Sequence, residues 1–454
     1  MPTGTGATID GVRMAQHRRE GSLEAPQRHP IPWQDPQWYD QDALNAELER
    51  VFNICHGCRR CFNLCEAFPT LFDLVDGSDT MEIDGVAKAD YMKVVDQCYL
   101  CDMCFMTKCP YVPPHEWNVD FPKLMLRAKA VNFRNGKVSR QRRRLSNTDR
   151  MGKLTSLPGV VKLVNTLNAN STARGVMEKT LGIHRDAALP PIDPQRAPVV
   201  WDGAAAEPGK GTTGKLAIFA TCYCRYNEPG IVDDLAAVLK HNQVPFRQVA
   251  DERCCGMPHT ETGDLESVAR AREHNIPRLV KLVDEGWDLT ALVPSCVLMF
   301  KQDLPLMYPD DRDVKKVAEA YYDPFEYLLL RHAAGKLKTD FVKELGTVSY
   351  QVACHQRVQN IGLKTRAALN LVPGTQVVPV ERCSGHDGTY GVRVETYPCA
   401  RKISRPVIKR MQQAQADHYS SDCPLAGRHL AAGMDSPDAK AEHPISLFRY
   451  AYGL

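Results

Sequence analysis

No stretch of about eighteen consecutive apolar residues occurs in this 454-residue sequence, so it predicts no helix able to span a bilayer. The first 35 residues are polar and rich in Gly and Pro, without the basic-then-apolar pattern of a secretory leader. A charge excess is missing too: 57 Lys and Arg stand against 54 Asp and Glu, a formal net charge of +3, which gives no overall attraction to nucleic acid or lipid. Nor is there a Gly-rich loop of the kind that cradles the phosphates of a flavin or nicotinamide nucleotide. Cysteine, by contrast, is abundant, at 17 residues. With no leader, so many thiols point to a reducing compartment and to metal chemistry, not to disulfides. The expected location is cytoplasmic, or peripheral on the inner membrane.

Eight of the cysteines form two runs, Cys55-x2-Cys58-x2-Cys61-x3-Cys65 and Cys98-x2-Cys101-x2-Cys104-x4-Cys109-Pro110. Two-residue gaps let neighbouring turns of backbone aim three sulfurs at one cubane, and in two-cluster ferredoxins the fourth Cys of each run crosses to the other cluster. The reading is therefore two 4Fe-4S clusters, one on Cys55, Cys58, Cys61 and Cys109, the other on Cys65, Cys98, Cys101 and Cys104. Structural zinc is the plainer alternative, but it usually takes separated Cys pairs, not triplets with a trailing fourth. The second run has one extra residue before Cys109, and Glu66 follows Cys65.

A chain of this length should hold two to four domains. Residues 1–38, punctuated by proline, read as a disordered arm with Trp33, Trp38 and Tyr39 pinning its end. Residues 39–130 read as an α-helical ferredoxin-like domain: Asp40 can cap a helix whose Leu44, Leu48 and Val51 share one face and which delivers the chain to Cys55. Residues 131–188 form a basic, amphipathic helical connector. Between Lys123 and Arg150 ten Lys and Arg, among them Arg142, Arg143 and Arg144, stand against Asp149 alone. Such a run is usually a solvated face; the functional alternative is attraction to anionic lipid or an acidic partner. Leu154, Leu157, Val161, Val164 and Leu167 recur at helical spacing beside it and suit a membrane interface, with Pro158 and Gly159 interrupting. No aromatic series accompanies the charges, so nucleic acid is not the expected partner. Residues 189–214, rich in Pro and Gly, form a linker.

Beyond the linker the pattern repeats. In residues 215–310 strands at Leu216–Thr221, Phe246–Val249 and Leu289–Val293 lead to Cys222, to Cys254-Cys255-Gly256 and to Cys296, with helices between them. After a helical connector at 311–346, residues 347–454 repeat this with strands at Val348–Ala353 and Val377–Val380, then Cys354, Cys383-Ser384-Gly385 and Cys423. Strands alternating with helices predict two α/β lobes with their cysteines at strand ends, where ligands gather. The fold class is α+β multidomain. In the first lobe Cys222, Cys224, Cys254, Cys255 and Cys296 suit a further cluster of non-cubane form, against the alternative of buried apolar Cys. In the second, Cys354, Cys383 and Cys423 with His386 (or His355 or His429) make a Cys3His set for zinc or iron, against the alternative of ordinary histidines. Cys399 is read as a bystander.

Two ferredoxin-type runs followed by two Cys-Cys-Gly lobes resemble the cluster-carrying D-type subunits of heterodisulfide reductase and, more closely, the C subunits of anaerobic glycerol-3-phosphate dehydrogenase. The strings Met177–Ile183, Tyr226-Asn227-Glu228-Pro229-Gly230, Gly388-Thr389-Tyr390-Gly391 and Glu442-His443-Pro444-Ile445 carry the likeness. It implies an electron-transfer subunit that takes electrons from a flavoprotein dehydrogenase and passes them to quinone or a disulfide-type acceptor. A heterodisulfide-reductase-like or peroxide-related reductase acting at the first lobe is the alternative. The sequence departs from the family pattern at Ser384, where a second Cys is expected, and at Ala426, where a Cys-x-x-Cys would end. The string from Cys383 to Gly388 resembles a divergent branch associated with rubrerythrin-like partners.

Overall fold

Strands Leu216–Phe219 and Asp288–Ala291 are buried at every residue, as expected of parallel strands covered on both faces. The computed structural model describes residues 21–22, 24–195, 197–203, 207–435 and 439–454. Its strands are β1 (Val200–Trp201), β2 (Leu216–Phe219), β3 (Phe246–Gln248), β4 (Asp288–Ala291), β5 (Tyr321–Tyr322), β6 (Thr347–Gln351), β7 (Gln376–Val380), β8 (His418–Ser421) and β9 (Ala441–Glu442). They make two sheets, ordered β1-β3-β2-β4-β5 and β7-β6-β8-β9. All pairings are parallel except β1 with β3. Setting β1 aside, the chain visits both sheets in the same spatial order.

Two expected boundaries shift. The segment read as a linker supplies β1, paired antiparallel to β3, and the segment read as a helical connector supplies β5 beside β4. Both are two-residue edge strands, too short for periodicity to reveal. The connector also joins the second lobe: Asp323 caps the helix Pro324–Ala333 and accepts from Gln356 Nε2 at 3.2 Å.

The N-terminal domain is helical. Its helices include α1 (Gln41–Cys58), α2 (Ala67–Asp76), α3 (Tyr91–Gln97), α4 (Met103–Thr107) and α5 (Phe121–Arg134). Asp40 caps α1 through Ala43 N at 2.7 Å, and Leu44, Leu48, Val51 and Phe52 are buried against a core with Phe68, Tyr91 and Phe121. The connector holds α6 (Arg140–Ser146), α7 (Thr148–Thr155), α8 (Val160–Ala169) and α9 (Ser171–Leu181), with the break at Pro158-Gly159 as expected. The first lobe adds α10 (Thr221–Tyr226), α11 (Gly230–His241), α12 (Met257–Thr262), α13 (Leu265–Asp284) and α14 (Pro294–Leu298).

The arm expected to be disordered over 1–38 is extended but tied down along its described second half; residues 1–20 and 23 lie outside the described residues. Gln27 N donates to Pro113 O at 2.9 Å, Ile31 N to Leu306 O at 2.8 Å, and the buried Trp33 indole to Met307 O at 3.2 Å. Proline spacing signals extension but not what an extended segment lies against. The strings that carried the resemblance act as joints. Tyr390 OH reaches Gln97 Oε1 at 2.5 Å, just before Cys98, and Glu228 pairs with Arg428 across the two lobes. His443 caps the helix Pro444–Tyr452 while its Nε2 lies 3.2 Å from Leu292 O.

Candidate functional site

The last turn of α1 carries Cys55 and Cys58. Arg59, in the left-handed region at φ 51°, then caps the helix and reverses the chain toward Cys61 and Cys65. Cys98 ends α3, and Leu100 (φ 58°) and Asp102 (φ 61°) are both left-handed. Such backbone at non-glycine residues costs on the order of 1–3 kcal/mol each and persists where surroundings impose it. For Asp102 the surroundings are visible: its buried carboxylate pairs with Arg28 of the arm, which also bonds Asp120 at 3.0 Å and stacks 4.2 Å over Phe105. Burial alone would raise the Asp102 carboxyl, but Arg28 outweighs it and holds it below its ordinary value.

The eight thiols fall into two neighbourhoods. Burial pushes Cys55 well above the ordinary thiol range, and the charges that add to this are those of Cys109, Cys61 and Cys58. These four also line one small cavity with Phe68, Phe72 and Tyr111. Burial likewise raises Cys65, whose neighbours are Cys98, Cys101 and the second lobe's Cys383, and Cys104, whose neighbours are Cys61, Cys101, Cys98 and Cys65. Cys104 also feels Cys61, so the two sets adjoin. Cys109 is thus a neighbour of the first run and Cys65 of the second.

In the first lobe three adjacent parallel strands release their cysteines at their carboxyl ends. Thr221 follows β2 with φ 71°, a conformation that a β-branched residue rarely adopts, and turns the chain into Cys222. Cys254 and Cys255 follow β3, and Cys296 lies in α14 after β4. Their thiols adjoin in the order Cys222, Cys254, Cys255, Cys296. The contact with Cys254, then burial, pushes Cys222 well above its ordinary value. Crowded, desolvated thiols become thiolates together only against a positive core. Cys224 is completely buried in the hydrophobic core beside Thr221.

The second lobe is arranged differently. Cys354 follows β6 and Cys383 follows β7. Both line one cavity together with Cys101 of the N-terminal domain, and Cys101 and Cys383 raise the Cys354 thiol. Tyr99 OH lies 2.9 Å from Cys383 Sγ, and Gly385 N donates to the same sulfur at 3.3 Å. The contact with Cys354, against the opposing effect of burial, brings Cys383 down to about 7. Cys423 stands apart, with Asp387 and Asp422 as its charged neighbours. His386 lies beside His429, ring centroids 5.6 Å apart, and burial lowers His386 to about 4. Among the described residues no three His, Cys, Asp or Glu side chains gather as a single metal ion requires. Sulfurs around one zinc would sit about 3.8 Å apart, from Zn–S bonds near 2.3 Å, closer than ligands spaced around a cluster. Cys399 packs beside Tyr390 and Ala400.

Between the lobes lies an apolar cavity of about 550 Å³. Cys101 of the N-terminal domain, Cys222, Cys255 and Cys296 of the first lobe and Cys354, Cys383 and Cys423 of the second all line it. The connector helices close it: Met151, Val164, Leu167 and Met177 are part of its wall. Sequence reasoning missed this role, and it missed Tyr99. Asp149 left a signal, being the lone carboxylate in a basic run. It accepts from Cys254 N at 2.7 Å and pairs with Arg225 at 3.0 Å, fixing the connector over the first-lobe thiols.

Comparison with known proteins agrees with this geometry. Residues 216–301 match the family model described as a Cysteine-rich domain (CCG), which spans β2 to α14. The chain is 25% identical over 314 residues to the anaerobic glycerol-3-phosphate dehydrogenase C subunit of Escherichia coli, covering 68% of this chain and 76% of that protein. It is 25% identical over 256 residues to the fumarate reductase (CoM/CoB) B subunit of Methanothermobacter marburgensis, covering 54% and 48%. Lactate utilization protein A of a Geobacillus species is 24% identical over 219 residues, 46% of this chain and 87% of its own length. Residues 216–301 therefore carry a match to the Cysteine-rich (CCG) domain, and over about two thirds of its length the chain is similar to the anaerobic glycerol-3-phosphate dehydrogenase C subunits.

Proposed function

We propose that this chain is an iron-sulfur electron-transfer subunit that relays electrons from a partner flavoprotein dehydrogenase toward quinone or a disulfide-type acceptor. The observation that carries the reading is that two adjoining sets of thiols in the N-terminal domain reach, through Cys101, a cavity lined by thiols of both lobes. The Cys55 set adjoins the Cys65 set through Cys61 and Cys104, and Cys101 and Cys354 both line the cavity wall. Two 4Fe-4S clusters on the N-terminal sets would supply one-electron carriers, with a further cluster on the crowded first-lobe thiols. The chain's own residues bury these sites, aim the sulfurs and keep the cavity apolar. Relatives named as subunits of a dehydrogenase and a reductase support a redox partner for this chain. Anaerobically purified protein is expected to contain about eight iron and eight acid-labile sulfide from the N-terminal sets, more with a first-lobe cluster. Fewer than about four iron per chain would sink the reading. The cavity favours a second reading, a reductase whose substrate enters between the lobes.

No helix among the described residues is long and apolar enough to cross a membrane. We infer peripheral attachment through the connector. Leu154, Leu157 and Leu163 are 51%, 51% and 57% exposed, beside exposed Lys153 and Lys162. The expected role of Arg142–Arg144 changes, because Arg142 pairs with Asp96 at 2.9 Å and Arg143 stacks 4.4 Å over Phe133. Replacing Lys153 and Lys162 by Ala should weaken binding to anionic vesicles about 30-fold, from about 1 kcal/mol per cation. Unchanged flotation, in these variants and in a Leu154→Ser, Leu163→Ser pair, would exclude attachment by this face.

A further inference from the structure

The two thiol sets of the N-terminal domain differ in what covers them. Of the Cys65 set, Cys98 and Cys104 are buried, and Cys65 and Cys101 pack with Tyr99, Tyr390 and Cys383 under the second lobe. The Cys55 set lies outward: Cys55, Cys58, Cys61 and Cys109 are each part-exposed, and none of them lines the cavity between the lobes. Its rim is the turn Arg60-Cys61-Phe62-Asn63, closed by Leu64 N donating to Cys61 O at 3.0 Å, together with Lys108, the residue before Cys109. The turn holds Phe62 at 62% exposure, and Arg60 and Lys108 are exposed too. Charges on the flank toward α2 are already matched: Arg59 pairs with Asp76 and lies 5.0 Å over the Phe72 ring, and Lys402 takes Glu66. Arg60 and Lys108 make no ion pair or side-chain hydrogen bond among the described residues, although Arg60 shares a small cavity wall with all four thiols. Aromatic residues and Arg are enriched at the centres of protein interfaces. An overall charge of +3 brings no partner to this side, so selection here has to be local.

We propose that the face formed by Arg60, Phe62 and Lys108 is where an acidic-surfaced redox protein docks and exchanges single electrons with the Cys55 set. The inference rests on the N-terminal domain being an electron carrier. Carboxylates of the partner meet Arg60 and Lys108, and an apolar edge beside its carrier covers Phe62 and excludes water from the contact. A partner seated there has the Cys55 set directly beneath it, and the Cys65 set leads on through Cys101 to the cavity. Each exchange moves one electron and breaks no bond; the partner is oxidised as the chain is reduced, or the reverse.

The test uses the full-length, iron-replete chain and reduced flavodoxin, an acidic one-electron donor, in anaerobic stopped flow. With Arg60→Glu and Lys108→Glu combined, the second-order rate should fall about tenfold or more at about 0.01 M ionic strength and return to within about twofold at about 0.5 M, where the attraction is screened. Arg60→Gln with Lys108→Gln, a milder change, should show the same salt-dependent loss at about half the logarithmic size. Lys240→Glu with Lys409→Glu alters net charge equally at exposed positions on the two lobes and should leave the rate as it was. Phe62→Ala should slow transfer about tenfold at both salt concentrations, since apolar contact is not screened. Photoreduced 5-deazariboflavin, small and uncharged, should reduce every variant at one rate. A carbodiimide should join Lys108 to a flavodoxin carboxylate. Equal slowing by the two charge-reversed pairs overturns the proposal, as does slowing that deazariboflavin reproduces in every variant. So do links that run only to Lys153 or Lys162 or to a second copy of this chain, and so does shielding of Lys108 from acetylation by anionic vesicles but not by flavodoxin. An unsubstituted chain that neither donor reduces refutes the electron-carrier reading itself.

Discussion

Cys55→Ser combined with Cys109→Ser should remove one iron-sulfur centre, whereas Cys98→Ser combined with Cys109→Ser should remove both. Each lost cubane takes about four iron and four sulfide with it. The asymmetry follows from the crossed neighbourhoods: Cys109 lies among Cys55, Cys58 and Cys61, and Cys65 among Cys98 and Cys101. Were each run to hold its own cluster, the outcomes would exchange. Pairing the substitutions makes the result an interaction measurement, since changes at one centre are redundant and changes at two are additive. Iron and sulfide assays with spin quantitation of the dithionite-reduced protein read it directly. Arg60 and Lys108 lie close enough to the Cys109 set to pull its thiols downward.

Gly263→Ala is expected to be the most damaging single change away from sulfur. Gly263 ends α12 at φ +80°, and a Cβ there would lie 2.4 Å from the Lys129 carbonyl carbon and oxygen in α5. A side chain in the left-handed region costs about 1–2 kcal/mol. Displacing packed backbone adds about 1–3 kcal/mol. Together these should lower the thermal midpoint by roughly 5–15 °C. The change also wedges the first lobe off the N-terminal domain, so electron transfer from that domain to the proposed first-lobe cluster should slow even below the melting range. Gly136→Ala is the matched control: φ is +72°, but nothing lies within 4 Å of the added atom, so it meets only the backbone cost. Equal effects of the two substitutions would show that the α5–α12 approach is not a constraint.

The local grammar of this chain was readable in advance, and its long-range contacts were not. Fixed gaps between cysteines constrain which sulfurs can share a core, and the assignment of Cys109 and Cys65 rests on that counting. The helix before Cys55 and the paired Cys positions at strand ends followed from periodicity, a property of neighbours in sequence. The meeting of Cys101 with Cys354 joins residues some 250 positions apart and leaves no trace in either segment. The connector shows a different limit. A stripe of Val and Leu at helical spacing looks the same whether it covers a cavity or lies on lipid. Here Val164 and Leu167 line the cavity, while Leu154 and Leu163 face outward. In the second lobe, His386 and Cys423 looked like members of one ligand set because they follow neighbouring strands, yet no three candidate ligands among the described residues gather around one point.

The Tyr99–Tyr390 contact has a temporal side. Tyr390 is added to the growing chain 281 residues after Cys109, so throughout most of synthesis the Cys65 set lacks the cover that the second lobe later provides. On the proposed cluster assignment, the inorganic cores are therefore expected to be delivered before the lobes shut over them.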